Sequence, residues 1–120
     1  MRNPDKLRVA PEAESLAVAV YLATQRFPQE ERFGLTAQIR RAVVSVGSNI
    51  FEGSHRQGNR ALVAFLHQAL GSAAELQFQL RLARRLEFGK ADELTALLDR
   101  ADHLRRMIIR LILALRKKGD

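Results

Sequence analysis

Residues 60–86 read RALVAFLHQALGSAAELQFQLRLARRL, and this stretch decides the fold. Within it Leu62, Leu66, Ala69, Ala73, Leu76, Leu80 and Ala83 recur at alternating steps of four and three. That spacing lines up one apolar stripe along an α-helix, as in helices packed side by side in a bundle. No proline interrupts it, and its apolar residues are mostly Leu and Ala rather than the types that strands favour.

The same pattern extends outward in both directions. Upstream, Leu35, Ile39, Ala42, Val46, Asn49, Ile50 and Gly53 stripe a helix over about residues 35–55. Gly53, Gly58 and the polar residues between them mark a loop, and Asn59 is the expected N-cap of the next helix. Further upstream, Ala13, Leu16, Val20, Ala23 and Phe27 predict a helix that Pro11 opens and Pro28 ends. Residues 28–34 connect it to the second helix with room for one short turn. Downstream, Gly89 is expected to close the long helix. Leu94, Leu98, Ala101, Leu104, Ile108, Leu111 and Leu115 then stripe a last helix over about residues 91–117. The expectation is an all-α, antiparallel up-down-up-down four-helix bundle: a polar lead over residues 1–10, then one domain over residues 11–118.

Composition agrees. A chain of 120 residues fits one domain, and 47% hydrophobic residues suffice for a core. There is no cysteine, so disulfides and thiolate metal sites are excluded and nothing points to an oxidising compartment. No apolar run approaches the roughly 18 residues of a membrane span. The cytoplasm is the default expectation. Twenty Lys and Arg against 13 Asp and Glu leave a net charge of +7, which makes polyanions reasonable partners. Simple solubility of a small basic protein accounts for the same number.

Two helices carry more apolar surface than one core stripe needs. Phe78 and Leu82 fall roughly 160–200° around the helix from stripe positions. The last helix is apolar almost all round, with Met107, Ile108, Ile109, Leu111, Ile112, Leu113 and Leu115. A wide core covered by loops would hide this excess. So would self-association through Phe78, Leu82, Ile109, Ile112 and Leu113.

Several segments go beyond a generic bundle: Phe27-Pro28, Glu31-Arg32-Phe33-Gly34-Leu35, Gln38-Ile39-Arg40-Arg41-Ala42-Val43-Val44-Ser45-Val46, Ser48-Asn49-Ile50, Glu52-Gly53, Phe65-Leu66 and Ala69-Leu70-Gly71-Ser72-Ala73-Ala74-Glu75-Leu76. Together they resemble the four-helix-bundle proteins named after the 23S ribosomal RNA intervening sequence. The resemblance is close over residues 16–86 and rests on pattern alone in the last helix. Gly47 stands where that family usually has proline, and Phe51 where it usually has alanine. The resemblance implies a cytoplasmic bundle able to form a homopentamer and no enzymatic activity. Some relatives are encoded within ribosomal RNA inserts, and a distant one assists a retroelement reverse transcriptase, so it also implies association with nucleic acid.

Among polar residues, Arg40, Arg41, Asn49, Glu52 and Glu75 stand out as a structural set. Asn49 falls on the core stripe of its helix and Glu75 flanks that of the next. A buried charge persists only when paired, so Glu75 is expected to pair with Arg40 or Arg41 across the interface. The alternative for this set is a ligand site. Small residues 71–74 would let a neighbouring helix approach.

Arg56 and Arg60 flank the free N–H groups at the start of the third helix, where a phosphate could sit; an ordinary turn explains them equally. No Lys-Ser/Thr of a nucleotide-binding P-loop follows. Glu52 and His55 form one Glu-x-x-His, whereas di-iron bundles need two plus further carboxylates, so no metal and no cofactor is expected. Asp102 is expected to make salt links to Arg105 and Arg106. No His and acid surround Ser45, Ser48 or Ser72, so no catalytic site and no small-molecule substrate is expected.

Arg81, Arg84, Arg85, Arg106 and Arg110 join Arg56 and Arg60 as candidate nucleic-acid contacts, with Arg105 and residues 116–118 adding charge nearby. Aromatic–basic interleaving that stacks bases is not expected, because most Phe residues fall on apolar stripes. Two functional expectations follow. One is an oligomeric accessory factor binding RNA or DNA backbones; the other is a structural or protein-interaction scaffold without nucleic-acid affinity.

Overall fold

The apolar stripes become four helices: α1 Pro4–Thr24, α2 Leu35–Ser54, α3 Asn59–Arg85 and α4 Ala91–Lys118. The computed structural model describes residues 4–119. One short 3-10 turn, Gln29–Glu31, sits in the connector before α2. Each helix packs on its two neighbours, α1 on α2 and α4, and α3 on α2 and α4. Neither diagonal pair touches among the described residues, so the helices form an antiparallel square. The particle measures 47 × 23 × 18 Å. Residues 25–34 and 86–90 form its upper end; residues 55–58, Pro4 and Gly119 lie at its lower end.

Every stripe residue of α3 is buried, and so are Ala13, Leu16, Val20 and Ala23 of α1, in one continuous hydrophobic core. Burying one Leu or Ile side chain contributes about 1.5–3 kcal/mol, so these stripes hold the helices together. Where α2 meets α3 at the lower end, Gly53 is buried, and a Cβ there would stand 2.8 Å from the Phe65 Cβ. Only glycine allows that approach.

Four local features differ from expectation. Helix α1 begins at Pro4, and Pro11 lies inside it rather than at its start. Pro4 takes the first-turn place where a missing N–H is harmless. The added turns bring Val9 into the core and Asp5 to Arg110, which offset the hydrogen bond Pro11 cannot make. Residues 4–10 are therefore helix; residues 1–3 of the expected lead lie outside the described residues.

Asn59 is the first residue of α3, not its cap. Gly58 holds the cap position with φ 88°, and the Asn59 amide donates to the Gly119 carbonyl at 2.8 Å. Gly89 does not close α3 either. Glu87 does, at φ 62°, with Phe88 N–H donating to the Ala83 carbonyl and Glu87 N–H to that of Arg84. Gly89, also left-handed, lets the chain pass Phe27, whose ring meets Phe88 edge-on at 5.8 Å. Finally, Ile112 is 3% exposed and belongs to the core of this chain, so it is not available to a second copy.

Candidate nucleic-acid interface

Of the expected polar set, Arg40, Asn49 and Glu52 bond partners other than those expected, and Arg41 and Glu75 are exposed. Glu75 is exposed, and among the described residues it makes no ion pair with Arg40 or Arg41. Arg40 turns to α1 instead: its Nε donates to the Thr24 hydroxyl at 2.9 Å and its Nη2 to the Tyr21 carbonyl, with the guanidinium 4.6 Å from the Tyr21 ring centre. That arrangement ties α2 to α1 without burying a charge, which removes any need for a carboxylate. Arg41 is exposed. Asn49 donates back to the Ser45 carbonyl at 2.9 Å, and the Ser45 and Ser72 hydroxyls bond at 2.7 Å between α2 and α3. Glu31 accepts from the Leu35 N–H at 2.9 Å and so caps α2. A side chain at Gly34 would strike that carboxylate.

The basic residues divide into two groups. From mid-bundle downward most are engaged. Arg110 holds Asp5 through two hydrogen bonds, at 3.1 and 3.3 Å. Arg105 and Arg106 both grip Asp102, at 2.9 and 2.7 Å. The Arg105 hydrogen bonds hold the Asp102 carboxyl below its ordinary value, and the nearby Arg106 charge adds to this. Arg56 bonds Glu52 at 2.6 Å and lies over Phe65. Arg60 and Arg116 border a pocket of about 540 Å³ at the lower end, where Arg116 donates to His67. Glu52 and His55, the lone Glu-x-x-His, are occupied by Arg56 and by the Phe51 carbonyl. Among the described residues no cluster of metal-ligating side chains exists, and no helix is long and apolar enough to cross a membrane.

The upper part of α3 is different. Among the described residues Arg81 and Arg85 make no ion pair, and Arg84 donates only to the Thr95 hydroxyl of α4 at 3.0 Å. These three arginines line an open groove of about 1130 Å³ between α3 and α4. Phe78, Leu82 and Leu86 share its α3 wall, while Leu98 and Asp99 stand on the α4 wall. Phe78 is 67% exposed. One exposed aromatic, Phe78, therefore stands a helical turn from Arg81, although most Phe residues were expected on apolar stripes. The stripe positions account for Phe27, but Phe33, Phe51 and Phe78 are all exposed. The seven candidate arginines do not form one patch. Arg81, Arg84 and Arg85 converge; Arg56 and Arg60 lie at the opposite end, with Arg106 and Arg110 strung along α4.

Exposed apolar side chains also occur where the sequence reading did not place an interface. Val18 and Leu22 of α1 are exposed, as are Val44 and Phe51 of α2. The α1/α2 seam forms a groove of about 660 Å³ between Pro11, Ala17, Val44, Gly47 and Phe51, with Glu14 and Glu52 at its rim. Helix α2 runs unbroken through Gly47, and a Cβ there would make only an ordinary contact with Ala13. Of the expected association residues, Leu113 is exposed and Ile109 half-buried. The signal for the α1/α2 face was present in Phe51, an aromatic on the outer side of a helix.

Comparison with known proteins gives two findings. The family model of the 23S rRNA-intervening sequence protein matches residues 5–110. The crystal structure of a protein of unknown function from the S23 ribosomal protein family of Bacteroides thetaiotaomicron has the same fold. Its TM-score is 0.82 at 23% identity, over 90% of this chain and 97% of that one. No curated protein matches the chain in sequence.

Proposed function

We propose, for a chain that belongs to the 23S rRNA-intervening sequence protein family, a non-enzymatic role as a self-associating accessory protein that binds RNA backbones. The observation that carries this reading is the set of three arginines on upper α3 with no acid bonded to them among the described residues. Arg26, Arg56, Arg105, Arg106 and Arg110, by contrast, each bond a carboxylate. Uncompensated guanidiniums on one helix attract phosphates and can bind them bidentately. The net charge of +7 raises the encounter rate with any polyanion. The family's tie to an insert in ribosomal RNA makes RNA the first polyanion to test.

Self-association rests on the α1/α2 face. Val44 and Phe51 are large apolar side chains left in water at this groove, with Val18 and Leu22 exposed on the outer side of α1 toward Arg100 of α4, and a second copy would cover them. Copies assembled into a homopentamer would repeat the upper arginines around a ring and multiply the field.

Titration of labelled RNA at two salt concentrations tests the reading. Affinity that falls steeply with salt supports it, because neutralised phosphates release counterions. Absence of binding at low salt ends it. Light scattering on the same sample, with the ultraviolet ratio recorded, reads the assembly and any nucleic acid that co-purifies. The same apolar α1/α2 face favours a second reading, a protein scaffold with no nucleic-acid affinity. An assembled particle that ignores RNA would establish that one.

A further inference from the structure

Phe78 has no role in the fold. It stands largely in water beside three arginines, on the α3 wall of the open groove between α3 and α4. We propose that this groove takes a single-stranded nucleic acid, with an unpaired base stacked on Phe78 and the adjoining phosphates held by Arg81, Arg84 and Arg85. This rests on the RNA-binding reading above and names the form of nucleic acid the site accepts.

The geometry of α3 carries the argument. Phe78, Arg81, Leu82 and Arg85 follow at steps of three, one and three, so they share one face over two turns. Arg81 is about 4.5 Å and Arg85 about 10.5 Å further along the axis than Phe78, at a rise of about 1.5 Å per residue. One aromatic face is thus followed by cations at successive turns, the order a strand needs when one base stacks and its backbone continues. Leu82 and Leu86 supply the apolar floor beside the ring. Arg84 spends one N–H on Thr95 and keeps its other donors.

The α4 wall sets the orientation. Asp99 is the groove's acid and faces three arginines across it. It repels phosphate, so the backbone runs along α3 and the base edges turn toward α4. A carboxylate there can accept from the exocyclic amino groups of bases. A duplex cannot use this site, because its base faces are hidden within its own stack. A two-fold pairing of copies through the groove would set arginine against arginine, which favours the nucleic-acid occupant.

The chain has no tryptophan, so Phe78→Trp creates a single reporter at the site. The experiment titrates that variant and the unaltered chain with a short single-stranded RNA, the matching single-stranded DNA and the RNA duplex at one salt concentration. The expected result is quenching of the indole by the single strands and not by the duplex. Phe78→Ala should lose on the order of tenfold in single-strand affinity, with duplex affinity unchanged and Phe78→Tyr restoring the loss. Phe78 is exposed, so these variants keep the core intact, and circular dichroism checks this.

If RNA binds but the duplex binds as tightly and Phe78→Ala changes nothing, the stacking site is overturned while the RNA-binding reading stands. If neither form binds at low salt, both fall. If Phe78→Ala lowers the mass in solution and leaves single-strand affinity unchanged, the groove is a contact between copies and the proposal is overturned. Equal quenching by the RNA and DNA strands supports the site and shows that the sugar is not read.

Discussion

At the lower end of the bundle, Arg110 grips Asp5 across α4 and α1, and Arg56 grips Glu52 along one turn. At the upper end of α3, Arg81 and Arg85 are exposed, and among the described residues no carboxylate is bonded to them. The residue type is the same and the helices are equally regular. The difference lies in whether a carboxylate comes within bonding distance. A guanidinium with a partner on another helix, as Arg110 has in Asp5, ties two helices together; one with no bonded acid keeps its donors open to solvent. Counting arginines along the chain treats the two ends alike, whereas pairing separates them.

The comparison can be broken most sharply by reversing charge at the upper end. Arg81→Glu with Arg85→Glu should weaken RNA binding by about a hundredfold at low salt and leave the melting temperature nearly unchanged. Fluorescence anisotropy and thermal unfolding read the two quantities. The same reversal at Arg106 and Arg110 should do the opposite, and equal effects at both ends would erase the distinction.

Gly53→Val attacks the lower end where α2 and α3 are closest. It should destabilise by about 2 kcal/mol, since the added side chain meets Phe65 and Leu62 directly. Chemical denaturation measures this, and the folded fraction should keep its RNA affinity. Arg110→Ala removes the lower ion pair. Its pair is partly exposed, so the expected loss is about 0.5–1 kcal/mol, smaller at high salt.

The smallest effect is that of Asp102. Its folded-state value lies below the ordinary carboxylate value, because Arg105 and Arg106 favour the charged form. The stability it contributes is therefore complete above that ordinary value and is lost as pH falls through the lowered one. Asp102→Asn should flatten this acid limb in a series of unfolding curves.

Architecture was legible because it follows from periodicity. Leu62, Leu66, Leu76 and Leu80 could be assigned to the core without any structure, since a step of three or four admits one face only. The helix ends were harder to read. Asn59 and Gly89 are good cap residues, yet Gly58 and Glu87 take those places, because tertiary contacts with Gly119 and Phe27 decide which residue turns. Glu75 was misjudged for a related reason. Its position beside the stripe suggested burial, but a residue at the seam's edge can swing outward, and Arg40 found a hydroxyl and a carbonyl on α1 instead. Of the candidate interface, the arginine cluster could be seen in sequence. Which arginines bond an acid could not, since Asp5 is far from Arg110 along the chain yet adjacent in space.

An even number of antiparallel helices returns a chain to the side from which it set out. Pro4 and Gly119 accordingly sit together beneath the bundle, where Asn59 holds Gly119. The arginine groove opens toward the other pole of a particle 47 Å long. A fluorophore or surface tether attached at the lower end, for instance on the exposed loop 55–58, would leave that groove unobstructed and present it outward.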